Sequence, residues 1–393
     1  MDIFDQTFSF SIYGGLGFSI IIFIFSLVIS YLCYPVIIKI SKLKNLMSEK
    51  NFRSVHTSKT SNLGGIGIFI AIYLAVAFFG NQFDDQNLIY LLGAISIMFF
   101  MGLADDLINL KAKSKMIIQF IATLSLILVT NLRIENLHGF LGIYELPFMF
   151  SIAITSLFFI LIINAFNLID GVDGLAGSFA ITAALFFCYN FYMNQNYAMF
   201  FISIIMIGSL TSFLIFNFSK KDKIFMGDTG SMVVGFLLAY QAVNFMNIDF
   251  NETFVLPNSK ILIFVLALFS FPLLDTIRVF CIRVKSGKSP FVADKNHIHH
   301  RLLDCGLSHK KISLFISIFT VVIIIGIYVF KDLEVHRLSL ILLTMWFISA
   351  VIVDKIKRFS NISNLKITIS NKKDKKKDKV PEKGKVVYMN NIA

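Results

Sequence analysis

Apolar runs of membrane-crossing length recur along the whole chain, and no soluble architecture can absorb so many of them. Crossing about 30 Å of hydrocarbon takes about 20 helical residues. Such runs lie near residues 14–34, 63–80, 88–104, 115–131, 147–165, 175–193, 198–216, 231–247, 260–280, 312–330 and 338–354. In lipid each backbone N–H and C=O must be satisfied within its own segment, so runs of this kind are helices. The expected fold class is all-α, a polytopic membrane protein of about eleven spans. Composition agrees: 56% of residues are hydrophobic and only 15% are charged, with a mean hydropathy of +0.76. Soluble domains carry about 25% charged residues.

Positive charge gives the expected orientation. Of the 36 lysines and arginines, 32 fall in segments 35–62, 105–115, 217–230, 278–311 and 355–393. Only Arg133, Lys260, Lys331 and Arg337 fall in the intervening segments. Basic residues are retained on the cytoplasmic side, which puts the N-terminus outside and the C-terminus inside. Met1 to Gly15 carries Asp2 and Asp5 without a basic stretch or a small-residue cleavage site, so the first apolar run is expected to stay in the membrane.

The chain divides into an integral-membrane part, 1–354, and a basic tail, 355–393, too polar to pack. A lysine-rich segment beside a membrane also attracts anionic lipid. The net charge of +12 owes much to this tail and argues no nucleic-acid partner. The four cysteines, Cys33, Cys188, Cys281 and Cys305, are scattered without a CxxC pair, which argues against a disulfide framework or a zinc site.

Four dense polar clusters sit in the segments assigned to the inside. Asp105 and Asp106, with Asn109, close the third run. Adjacent carboxylates near hydrocarbon need a compensating cation or proton, although alone they would also pass for a solvated helix end. Residues 164–177 read NAFNLIDGVDGLAG, placing Asn167, Asp170 and Asp173 on roughly one helical face. Residues 225–231 read FMGDTGS, with Phe225, and with Asp228 at the start of an apolar run. Free N–H groups at a helix start suit phosphate, and Mg²⁺ favours one or two carboxylates plus phosphate oxygens. Close helix packing is the competing use of Gly230 and Gly235. The fourth cluster holds Asp275 and Arg278, then His297, His299, His300 and Arg301. A tetrahedral zinc set is incomplete there, and an anionic diphosphate fits better. A further inside segment carries Arg53, His56 and Lys59 ahead of Gly64 and Gly65.

These four motifs, in this order, resemble the polyprenyl-phosphate N-acetylhexosamine-1-phosphate transferases over about residues 15–355. The NHIHHRLLDCG segment at 296–306 resembles the branch that uses UDP-N-acetylglucosamine to start O-antigen, common antigen or teichoic acid synthesis. The resemblance implies attack of a polyprenyl phosphate oxygen on the β-phosphorus of the UDP-sugar, with release of UMP. It implies Mg²⁺, or Mn²⁺ in its place, held by Asp228 and Asp106, and a catalytic set of Asp105, Asp106 and Asp228. Asp105 would be the base or orienting group for the acceptor. Asn167, Asp170 and Asp173 would line the nucleotide pocket, with Phe225 stacking on uracil. His297, His299, His300 and Arg301 would hold diphosphate and sugar, and Asn109, His56 and Lys59 would complete the substrate contacts. The expected location is the inner membrane with the site on the cytoplasmic face; a homodimer is compatible with this.

Two departures from the family pattern stand out. Lys59, Ser61 and Asn62 replace two prolines and an arginine before Gly64, and Asn109 stands where an aspartate is common. Within the enzyme class, the muramoyl-pentapeptide branch or another UDP-HexNAc is the alternative. A transporter, the rival from another class, would place ionisable groups near the midplane and show related halves; neither pattern is present.

Overall fold

The computed structural model describes residues 12–46, 60–83, 85–248, 257–287, 297–349 and 351–352. Its helices are α1 (Ile12–Leu43), α2 (Gly64–Phe79), α3 (Leu88–Ile108), α4 (Ala112–Thr130), α5 (Phe148–Ile169), α6 (Leu175–Met193) and α7 (Tyr197–Asn217). They continue with α8 (Gly227–Met246), α9 (Ile261–Leu268), α10 (Ser270–Lys285), α11 (Ile298–Asp304), α12 (His309–Val329) and α13 (Val335–Ser349). Among the described residues, nine of these are long and apolar enough to cross a membrane: α1 to α8, and α12.

The expected ninth span is broken. α9 and α10 meet at a 65° bend around Phe269, so residues 258–285 form one bent span or a re-entrant pair. The eleventh expected run is the shorter apolar helix α13. α1 runs nine residues past its expected end, straight through Pro35, because Ile37, Ile38 and Ser41 beyond it are still buried. The segment between α4 and α5, which carries no apolar run, folds into an antiparallel hairpin of β1 (Asn136–Phe140) and β2 (Ile143–Glu145).

α8 is the central helix, with 94% of its span window buried, and it packs on α2, α3 and α5. Hydrophobic drive between helices is absent in lipid, so contact depends on small residues that let backbones approach. A Cβ on Gly102 of α3 would stand 2.6 Å from the Asp228 carbonyl oxygen, and one on Gly65 of α2 would stand 2.0 Å from the Gly230 nitrogen. Gly230 therefore serves close packing, as one of the two readings of it expected. Buried polar pairs add specific bonds across helices. Asn164 Nδ2 donates to Gln119 Oε1 at 2.7 Å, joining α5 to α4, and Gln241 Nε2 donates to Ser203 Oγ at 2.5 Å, joining α8 to α7.

Candidate active site

The glycine crossings bring the ends of α3, α4, α5 and α8 together at one end of the bundle. α3 extends to Ile108, so Asp105 and Asp106 lie in its last turn; α8 begins at Gly227, so Asp228 lies in its first. Asp106 accepts from the Asp228 N–H at 2.9 Å, the Thr229 N–H at 2.8 Å and the Thr229 hydroxyl at 2.6 Å. A carboxylate from another helix thus caps α8, where the helix dipole favours negative charge. This corrects one expectation: the first N–H groups of α8 are taken by Asp106 and are not open to a phosphate.

Lys115, four residues into α4, lies between the two remaining carboxylates. Its Nζ is 2.7 Å from Asp228 Oδ2 and pairs with Asp105 Oδ2. Asp105 is 6% exposed, a carboxylate almost never so buried unless paired. On the opposite side, Asn167 Nδ2 donates to Asp228 Oδ1 at 2.8 Å and to Ser231 Oγ at 2.7 Å. Asp228 is therefore fixed from α4 and α5 at once.

The 170–174 turn follows α5. Asp170 is crowded by protein, and Asp228, Asp106 and Asp173 add like charge; its carboxyl is pushed up to about 8. Asp173 behaves differently. Burial alone would raise it, but His309 at 3.1 Å and Lys223 at 2.5 Å outweigh burial and hold it below the ordinary carboxylate range. The turn closes at Gly174, with φ of 76°, whose N–H donates to Asn217 Oδ1 at 2.5 Å.

The histidine segment packs on this turn. Asp275 of α10 holds it, accepting the Ile298 N–H at 2.8 Å and facing His297 Nδ1 at 2.9 Å. His299 is 1% exposed and its ring lies where any Gly171 side chain would be, Nε2 being 2.6 Å from an added Cβ. Burial pushes its imidazole down to about 3, so His299 is neutral at physiological pH. Among the described residues its buried Nδ1 has no hydrogen-bond partner. The His300 ring lies beside it, tilted by 49° with ring centroids 4.4 Å apart, and Arg301 follows in α11.

Phe225 is tied through backbone: its N–H donates to Ser61 O at 2.8 Å and its carbonyl accepts from Gly64 at 2.9 Å. Lys223 Nζ lies 5.3 Å from the centre of its ring. Asn109 ends α3 in the left-handed conformation, φ 51°, with its side chain exposed; helix termination accounts for an asparagine there. His56 and Lys59 lie outside the described residues, as does the 355–393 tail.

Lys115, Lys223, His309 and Asn217 were not singled out from sequence. The lysines count there only as topology signals. The usable hint was adjacency: a basic residue beside a motif with too many carboxylates has to pair with one of them.

A cation fits this site. Asp105, Asp106, Asp170, Asp173 and Asp228 gather around two lysines and one histidine, and the donors are all oxygen. Among the described residues no group of three or more Asp, Glu, His or Cys side chains is placed to hold a metal ion.

Comparison with known proteins gives the same direction. Residues 88–246 match the model of glycosyl transferase family 4. The chain is 31% identical over 299 residues to a decaprenyl-phosphate N-acetylglucosaminephosphotransferase of Mycobacterium leprae, covering 70% of this chain and 74% of that protein. It is 29% identical to a probable undecaprenyl-phosphate N-acetylglucosaminyl 1-phosphate transferase of Bacillus subtilis, covering 80% and 85%. It is 25% identical to an undecaprenyl-phosphate alpha-N-acetylglucosaminyl 1-phosphate transferase of Yersinia pestis, covering 76% and 80%. By these matches the chain is an enzyme and belongs to glycosyl transferase family 4.

Proposed function

We propose that this protein transfers N-acetylglucosamine-1-phosphate from UDP-N-acetylglucosamine to undecaprenyl or another polyprenyl phosphate. UMP is released, and the product starts a lipid-linked envelope glycan. The observation that carries this reading is Lys115 held between Asp105 and Asp228, two carboxylates from motifs over a hundred residues apart. Such a charge-dense pocket at a membrane edge suits two phosphorylated substrates, one soluble and one embedded in lipid.

In this reading an acceptor phosphate oxygen attacks the β-phosphorus. The bond from that phosphorus to the bridging oxygen breaks, and UMP carries away the electron pair. Phosphoryl transfer asks the protein for positioning and charge neutralisation more than for covalent chemistry, which favours direct displacement over an aspartyl-phosphate. Asp228 would hold Mg²⁺, with Asp170 beside it; the ion would neutralise phosphate charge. Asp106 is a positioning residue, because its oxygens serve the α8 N-terminus. Asn167 orients Asp228. His299 presents a neutral nitrogen towards the diphosphate and sugar, with His300 and Arg301 at the same end. The basic bias of the inner segments supports a cytoplasmic site in the inner membrane.

The test uses purified protein in detergent with undecaprenyl phosphate, Mg²⁺ and radiolabelled UDP-N-acetylglucosamine. Lipid-linked label with equimolar UMP, abolished by EDTA, is the expected result. Product only from UDP-MurNAc-pentapeptide or another UDP-HexNAc would keep the chemistry and replace the sugar. No product from any UDP-sugar would reject the reading. Asp228→Asn is expected to lower turnover about a thousandfold, within the range for losing one electrostatic stabiliser, with partial recovery at high Mn²⁺.

A further inference from the structure

A cavity of about 440 Å³ opens between the C-terminal ends of α1 and α7, lined by none of the clustered carboxylates. Pro35, Ile38, Leu43 and Phe216 give it apolar lining, and Lys39, Lys42 and Asp222 are its charged groups. The two lysines are three residues apart, hence neighbours on one helical face. Lys42 faces Asp222 at 3.9 Å, with both side chains about half exposed, a pair of little energetic weight. Lys39 makes no ion pair among the described residues. Lys44, Lys220 and Lys221 add charge nearby, and Asp222 is the one acid in segments 35–46 and 216–223. The adjoining face of α1 is apolar and open: Leu32 is 61%, Val36 56% and Ile40 49% exposed.

We propose that this cavity is a binding site for the headgroup of an anionic phospholipid, a phosphodiester such as phosphatidylglycerol. The phosphate meets Lys39 and Lys42, the glycerol region rests on the Pro35–Phe216 lining, and the acyl chains follow the exposed face of α1. A zwitterionic headgroup carries its own ammonium and competes with these lysines. The acceptor lipid is a weaker match: Ser41 Oγ is 2.8 Å from Ser61 Oγ, and the Ser61–Gly65 segment separates α1 from the start of α8. The same link ties the lipid-facing helix to the backbone that carries Phe225 and Met226.

The experiment is native mass spectrometry of the full chain titrated with phosphatidylglycerol or phosphatidylcholine. Wild type is expected to bind the anionic lipid selectively. Lys39→Gln with Lys42→Gln is expected to weaken it about thirtyfold, each substitution alone about fivefold, at the usual worth of a lysine beside an anionic surface. Lys111→Gln with Lys113→Gln, equal in charge change and likewise exposed, is expected to leave binding unchanged. Equal affinity for both lipids, or equal loss in the two double variants, would overturn the site. One-for-one displacement by polyprenyl phosphate would also overturn it, by making the cavity an acceptor site. Should the double variant fail to fold, the single variants decide. This readout is binding alone, so it stands or falls separately from the transferase assay.

Discussion

α8 and α12 are both membrane-length helices, yet the sequence ranks them opposite to the structure. α12 is the most hydropathic of the candidate spans and only 33% of its window is buried; α8 is the least hydropathic and is 94% buried. A soluble protein would show the reverse. Lipid is as apolar as leucine, so the greasiest helix gains nothing by leaving it, and the buried position goes to the helix that packs by small residues and polar bonds. α8 has Gly230 and Gly235 for close approach, Gln241 for a cross-helix bond, and Asp228 at its end. The polar content that weakens α8 as a transmembrane signal is what places it at the centre and puts Asp228 in the carboxylate cluster at its end.

The sharpest way to break this contrast is to fill a crossing. Gly102→Val would drive side-chain atoms into the α8 backbone, whereas Gly93 on the same helix has open space around it. Gly102→Val is expected to lose monodisperse folded protein on detergent size exclusion, and Gly93→Val to keep it. Equal behaviour of the two would mean that the α3–α8 contact does not hold the core.

Next in size is Lys115→Met. Leaving Asp105 and Asp228 without their shared cation should lower kcat about a hundredfold, with Lys115→Arg recovering part of it. A variant with unchanged kcat would remove Lys115 from the site.

A smaller effect concerns His299. Its folded value of about 3 lies below the ordinary histidine value of 6.5, so the unfolded chain binds the extra proton between those values. His299 therefore contributes stability that is whole above about pH 6.5 and is lost as pH falls towards 3. Thermal melting of His299→Gln is expected to vary less with pH than wild type over pH 4–6.5. An identical slope would mean that His299 is not buried as neutral imidazole. Smallest of all is Val322→Leu on α12, a 53% exposed position facing lipid; its melting temperature should stay within about a degree, since surface changes of this kind stay within about 0.5 kcal/mol.

How much could be read beforehand differed by level. The apolar runs predicted the long helices within a few residues, apart from the C-terminal end of α1, because lipid leaves the backbone no alternative. They did not predict the 65° break at Phe269, since an apolar run carries no signal for where it bends. They also missed the β1–β2 hairpin, a short feature without strong alternation. The acidic and histidine motifs were legible as clusters, but their roles were not. Asp105 and Asp106 are adjacent and look equivalent; only the register of α3 against α8 gives Asp106 to the helix start and Asp105 to Lys115.

The sequence by itself determined a polytopic helical membrane protein, its basic side, and four polar motifs matching one transferase family. Those are consequences of solvent and composition, which act residue by residue. The tertiary structure alone decided which carboxylates share a lysine, which one caps α8, why His299 is neutral, and that a lysine-lined cavity lies beside α1. These depend on groups far apart in sequence coming within about 3 Å, and no local pattern encodes that distance.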